Sequence, residues 1–227
     1  MSISNTSSQI DLDFAKAQHA LLNAALPHVA FDGWSHTLLT TAAQDAGLDP
    51  LWVIRLCPNG PIDLLRFWLG ETDRDMVKTL ETIPLQEMRI RDRITTAVRL
   101  RLERAAPHRE AIRRTLATLA LPQHTSLALS SLWKTVDAMW RAAGDTATDY
   151  NWYTKRALLA GVYSSTLLYW LDDRSVNDTA TWAFLDRRID EVLRLPHQIK
   201  RLKEKIQALP SVPWSPTRFA RLWRKTF

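Results

Sequence analysis

The stretch DGWSHTLLTTAAQDAGLDPLWVIRL, residues 32–56, holds two short helices and a tight turn. Ser35 is placed to cap a helix running through Ala46. Gly47 suits the stop, because a helix commonly ends on a residue of positive φ, which glycine adopts without strain. Asp49 then caps a second helix that Pro50 starts at the first-turn position, where the missing N–H costs nothing. The outline is helix-turn-helix, and the same grammar extends in both directions.

Upstream, a helix over about Leu12 to Val29 places Phe14, Leu21, Leu22, Ala25 and Leu26 on overlapping faces and ends at Phe31-Asp32-Gly33, with Pro27 positioned to shorten it. Downstream, Cys57-Pro58-Asn59-Gly60-Pro61 breaks the chain. Asp63 opens a helix carrying Leu64, Leu65, Phe67, Trp68, Leu69, Met76 and Leu80. From Leu85 to Arg104, Met88, Ile94, Val98 and Leu102 share a side, and the arginines are expected in solvent. Helices at about Arg109 to Leu119 and Leu127 to Ala142 follow, separated by Pro107, Pro122 and Gly144. Thr148 or Asp149 can cap a long apolar helix from Tyr150 to about Leu171, and another runs from Asp178 to Leu195. The chain has only 6 glycines, few alternating β-branched runs and long apolar stripes of helical period, so the expected fold class is all-α.

Among 227 residues, 46% are hydrophobic and 24% charged, which places the chain among globular proteins rather than disordered or collagen-like ones. The lone Cys57 excludes an intramolecular disulfide and a cysteine-based zinc site. No stretch reaches the roughly 18 apolar residues of a spanning helix, and the start MSISNTSSQIDLDF lacks secretory or Arg-rich presequence character. The net charge of +6 is unevenly distributed. From Arg194 onward nine basic residues face Glu204 alone, a net of +8, leaving −2 for residues 1–193. What the tail touches therefore decides what the basic character means.

Leu195, Ile199, Leu202, Ile206 and Leu209 form a narrow apolar stripe on a basic helix. Beyond Pro210, Pro213 and Pro216, a turn of about 100° per residue puts Phe219, Leu222, Trp223 and Phe227 on one side. Arg218, Arg221, Arg224 and Lys225 take the other. Together with Trp214, this segregation is that of an interfacial helix on anionic lipid. The rival readings are a segment folded onto the body or disordered, and a single-strand nucleic-acid tail, which would more often interleave its cations and aromatics.

Nucleophile elbows, Walker loops, dinucleotide fingerprints and HExxH are absent. None of the seven glutamates is followed three places later by histidine, so the helical di-iron ligand pattern is missing too. His19, His28, His36, His108, His124 and His197 are scattered. The chain is expected to be no enzyme, with no cofactor and no metal. The segment from Asp32 to Leu56 resembles the amino-terminal module of TetR-like regulators. No Lys or Arg lies between Lys16 and Arg55, while Asp32, Asp45 and Asp49 lie in or beside the module, so phosphate neutralisation has no source. A TetR-like fold without nucleic-acid binding is the expectation, and a TetR-like transcriptional regulator with a lipophilic ligand is the alternative.

The segment VDAMWRAAGDTATDYNWYTKRALLAGVY, residues 136–163, is similar to the signature of the coenzyme Q biosynthesis protein nine family. AALPHVAFDGW at 24–34 and TWAFLDRR at 181–188 extend the resemblance over about residues 14–195. It implies a TetR-like, commonly dimeric helical fold in which lipid binding has replaced DNA binding. Members of that family bind polyprenyl quinone intermediates in an apolar pocket, rest on membrane through a carboxy-terminal amphipathic helix, and present the lipid to the di-iron demethoxyubiquinone hydroxylase. Carried over by matching residues, Met139, Asp149, Trp152, Tyr153 and Arg156 form the patch that meets the hydroxylase. On residue type alone, Asp149 is equally a helix cap and Trp152 equally a core residue.

Candidate pocket residues are Leu158, Val162, Tyr163, Leu167 and Trp170, with Leu64, Phe67 and Trp68; a filled core is the other reading of each. The membrane-binding set is Trp214, Arg218, Phe219, Arg221, Leu222, Trp223, Arg224, Lys225 and Phe227. The domain plan is a disordered amino terminus at 1–11, a TetR-like lipid-binding body at 12–195, a basic amphipathic helix at 196–209 and a membrane-binding tail at 210–227. Expected partners are the hydroxylase, phospholipid, the quinone intermediate and a second copy of the chain. The expected location is the cytoplasmic face of a bacterial inner membrane, or the matrix side of the mitochondrial inner membrane.

Overall fold

The computed structural model describes residues 3–145 and 150–207, and their regular elements are all helical. The α-helices are α1 (Ile3–Asp32), α2 (His36–Asp45), α3 (Pro50–Leu56), α4 (Pro61–Glu81), α5 (Ile90–Ala105), α6 (Arg109–Leu119), α7 (Thr125–Ala142), α8 (Tyr150–Asp172) and α9 (Thr179–Gln207). Short 3₁₀ turns separate several of them.

The caps form as the sequence predicts. Ser35 Oγ accepts from the Leu38 N–H at 3.1 Å and Asp49 Oδ1 from the Leu51 N–H at 2.7 Å. Gly47 has a φ of +63°. Gly60, at φ +77°, also lets the chain pass close to α2, since a Cβ there would sit 3.0 Å from His36 Cε1. Together α1, α2 and α3 make the helix-turn-helix unit, with Leu21, Leu22, Leu38, Leu39 and Ala42 buried between them. α6 packs on α1, α4 lies against α5 and α7, and α7 against α8.

Three boundaries differ from the sequence expectation. α1 begins at Ile3, inside the stretch 1–11 expected to be disordered, and continues through Pro27 to Asp32. Pro27 faces solvent, where the carbonyl it leaves unbonded can be hydrated, while Leu26 and Val29 beside it are buried. α9 runs unbroken through Pro196 to Gln207, and the body ends at Ile189, with a second unit beginning at Asp190 instead of after 195. α9 starts at Thr179 and not at Asp178, because Asn177 and Asp178 both take φ of 55°. Asn and Asp tolerate this left-handed conformation better than other side chains do.

Asp173 locks that turn. Its carboxylate accepts from the Ser175 N–H at 2.8 Å, the Thr181 N–H at 2.9 Å and the Thr181 hydroxyl at 2.6 Å. Burial alone would raise its pKa, but these bonds outweigh it and hold the carboxyl well below the ordinary carboxylate range. A depressed folded pKa stabilises above the unfolded value, and that stability is lost as pH falls through the folded one. Asp173→Asn is therefore expected to cost about 1 kcal/mol at neutral pH. In melts recorded at decreasing pH, the gap to the parent chain should shrink once pH drops below about 3.9.

Candidate functional site

Helices α4 to α8 enclose a cavity of about 380 Å³, within the range of about 300–1,000 Å³ typical of small-molecule pockets. Its wall is overwhelmingly apolar. Leu102 and Ala105 come from α5, Leu116 and Leu119 from α6, and Leu132 from α7. At the mouth, Leu129 and Leu168 are 64% and 60% exposed. Polar groups gather at the buried end. Arg101, only 3% exposed, donates from Nε to Asp73 Oδ1 at 3.1 Å, and the Thr135 hydroxyl lies 2.9 Å from Asp73 Oδ2 and 3.0 Å from the Ser131 carbonyl. Tyr163 lies beside this pair. Burial raises the pKa of both Asp73 and Tyr163, and for Asp73 it outweighs the lowering by Arg101 and Thr135.

Of the sequence-predicted pocket residues, Tyr163 and Leu167 line this cavity. The others do not. Leu64, Trp68 and Val162 are buried core, with the Trp68 ring 5.6 Å from that of Trp34 and 6.2 Å from that of His108. Trp170 is fully buried beneath the Arg109 guanidinium, 4.2 Å from its ring, and donates from Nε1 to Asp178 Oδ2 at 3.1 Å. Phe67 faces a separate open groove with Phe14 and Arg55, its ring 5.2 Å from that of His19. Leu158 is half-buried and outside the cavity wall. Leu69, one step further round α4, faces the cavity in place of Phe67 and Trp68.

Arg101 corrects the expectation that the α5 arginines are solvated. It lies three residues after Val98 and seven after Ile94, and this spacing sets it on the buried stripe.

The partner patch divides. Met139 is fully buried in α7. Arg156 is 1% exposed, with Nε 2.6 Å from Asp137 Oδ1 and Nη1 3.1 Å from Asp145 Oδ2, so neither residue offers a contact surface. What Arg156 supports is aromatic. The Arg156 guanidinium lies 4.1 Å from the Trp152 ring centroid, and Trp152 packs on Trp133 at 5.5 Å and edge-on to Tyr153 at 4.7 Å. Trp152 is half-buried and Tyr153 is 61% exposed, so these two present the surface. Asp149 lies outside the described residues, as do Trp214, Arg218, Phe219, Arg221, Leu222, Trp223, Arg224, Lys225 and Phe227.

Other chemistry finds little support. The Cys57 thiol is buried, and its pKa is pushed up to about 11 by burial and the nearby Asp63 charge, so it is a poor nucleophile. Among the described residues no group of three or more His, Cys, Asp or Glu is arranged to hold a metal ion, and no helix is long and apolar enough to cross a membrane. α3, at the recognition-helix position, carries a single cation, Arg55, lying 5.5 Å from the Trp52 ring, and exposes Leu51 and Ile54. Such a face supplies little phosphate attraction.

Residues 125–196 match the COQ9 family model. Over 198 residues the chain is 34% identical to the ubiquinone biosynthesis protein COQ9, mitochondrial, of Rattus norvegicus, covering 85% of this chain and 64% of that one. The corresponding Homo sapiens protein is 33% identical over 85% of this chain and 62% of its own length, and that of Drosophila melanogaster 34% over 82% and 58%. The chain thus spans less than two thirds of these relatives. Among solved structures, a TetR transcriptional regulator from Nitrosomonas europaea ATCC 19718 superposes with a TM-score of 0.65 at 20% identity, covering 78% of this chain and 97% of that one. Over the described residues the fold is all-helical and TetR-like.

Proposed function

We propose that the chain, similar to COQ9 proteins over most of its length, serves ubiquinone biosynthesis as a non-enzymatic accessory protein that holds a polyprenyl quinone intermediate and presents it, at a membrane surface, to demethoxyubiquinone hydroxylase. The carrying observation is the apolar cavity among α4 to α8, opening between Leu129 and Leu168. An isoprenoid tail gains roughly 0.8 kcal/mol per CH₂-sized group on leaving water, so a protein wall of leucines need only match the bilayer interior to make transfer reversible. Transfer then requires no bond chemistry from the protein.

The Trp133–Trp152–Tyr153 cluster supports docking of the hydroxylase. Exposed aromatics on a rigid base are typical binding anchors, and the base here is the buried Arg156. Tyr153→Ala is expected to weaken hydroxylase association about tenfold while shifting the melting temperature by no more than about 2 °C. Pull-down of purified hydroxylase alongside a melt checks both halves; undiminished association would remove this surface from the interface. Trp152→Ala is less clean, since it also uncovers the Arg156 guanidinium.

Membrane attachment is assigned to the tail. Each cation near an anionic surface contributes about 1 kcal/mol, so reversing Arg221 and Arg224 to glutamate should abolish most flotation with phosphatidylglycerol-containing liposomes. Unchanged flotation would refute the tail assignment.

A further inference from the structure

The cavity carries a charged pair that an apolar container does not need. We infer that Arg101 and Tyr163, with Thr135 fixing the Arg101–Asp73 pair in place, form a head-group subsite at its buried end, which selects an uncharged, oxygen-bearing ring over a bare hydrocarbon or a fatty acid. This inference rests on the reading of the cavity as a lipid site.

A buried ion pair is seldom retained for stability alone, because desolvating both charges offsets most of their attraction. Arg101 meets Asp73 through Nε only, and its two Nη groups have no hydrogen-bond partner among the described residues, although the side chain lines the cavity. The Tyr163 hydroxyl has none either, and its ring belongs to the same wall. Both groups donate. The hydroxyl of Thr135, by contrast, is engaged with Asp73 and Ser131, and so fixes the pair in place. A ligand oxygen reaching this end meets Arg and Tyr N–H and O–H donors within an otherwise hydrocarbon wall.

Charge decides which oxygen. Asp73 balances Arg101, and Lys134, the other cation acting on Asp73, is exposed, so the buried subsite has little net positive charge to offer a carboxylate or phosphate. A carbonyl, methoxy or phenol oxygen costs far less to desolvate than an anion and accepts the same hydrogen bonds. The head therefore sits inward, against Arg101 and Tyr163, and the chain trails past Leu132 toward the mouth at Leu129 and Leu168.

The test uses two ligands with one tail. Delipidated full-length protein is equilibrated with equal amounts of a decyl-substituted dimethoxybenzoquinone and decylbenzene, and the bound compounds are extracted and quantified. The parent chain should favour the quinone, and Tyr163→Phe should lower the bound quinone-to-decylbenzene ratio about fivefold, the equivalent of one net hydrogen bond, without reducing decylbenzene uptake. Arg101→Lys, which keeps the charge opposite Asp73 but removes the planar donors, should lower the ratio similarly. Retained decylbenzene uptake reports a folded cavity in each variant. Uptake of both compounds with a ratio unmoved by either substitution would overturn the head-group subsite and leave the lipid reading intact. Uptake of neither compound by the parent chain would overturn both.

Discussion

Arg156→Ala is expected to cost the body about 3–5 kcal/mol, lowering its melting temperature by roughly 10 °C or more. Arg156 is 1% exposed and bridges two carboxylates, Asp137 at 2.6 Å and Asp145 at 3.1 Å, while Nη1 also reaches the Trp152 carbonyl at 3.2 Å. Arg141 and Lys155 give the same carboxylates second partners, each at 2.7 Å, but both lie nearer to solvent. Removing the guanidinium leaves two poorly solvated negative charges facing each other and takes the floor from under the Trp152 ring. Arg156→Lys keeps a charge but cannot meet both carboxylates and the ring with one planar group, so an intermediate loss is expected. A loss of hydroxylase association in Arg156 variants would therefore follow from lost structure. A thermal melt distinguishes the roles: a normal melting temperature for Arg156→Ala would make this arginine dispensable to the fold.

Ala128→Trp should empty the cavity. Ala128 lies in its wall on α7 at a half-buried position, so an indole there projects into the space of about 380 Å³ without displacing a fully buried side chain. Packed cores resist extra volume, whereas an open cavity can take it at little cost. Lipid bound per protein should fall roughly thirtyfold, the equivalent of about 2 kcal/mol, with the melting temperature unchanged or slightly raised. Equal lipid content in the two proteins would place the ligand elsewhere.

The helix-turn-helix segment was legible because its signals are local. Ser35, Gly47, Asp49 and Pro50 act within a turn of their own position, and each does in the fold what its chemistry suggests. The pocket was legible only in part. α8 carries apolar residues on several faces, so periodicity cannot tell Tyr163 and Leu167, at the cavity, from Val162 and Trp170, sealed against neighbours. That distinction depends on α5 and α6, which reach the site from a distance in sequence. The charged residues misled in another way. Arg101 and Arg156 belong to a type that ordinarily faces water, yet each is buried because a carboxylate from elsewhere in the body, Asp73 or Asp137, meets it. The spacing of Arg101 from Ile94 and Val98 was a usable sign; the partner of Arg156 in α7 had none.

The central claim is that the body carries a polyprenyl quinone intermediate. Its most direct test is solvent extraction and mass spectrometry of the detergent-free purified full-length protein beside its Ala128→Trp variant. A polyprenylated quinone or its precursor, approaching one per cavity in the parent chain and depleted in the variant, is the predicted result. Finding only phospholipid, no lipid, or the same quinone content in both proteins would contradict it.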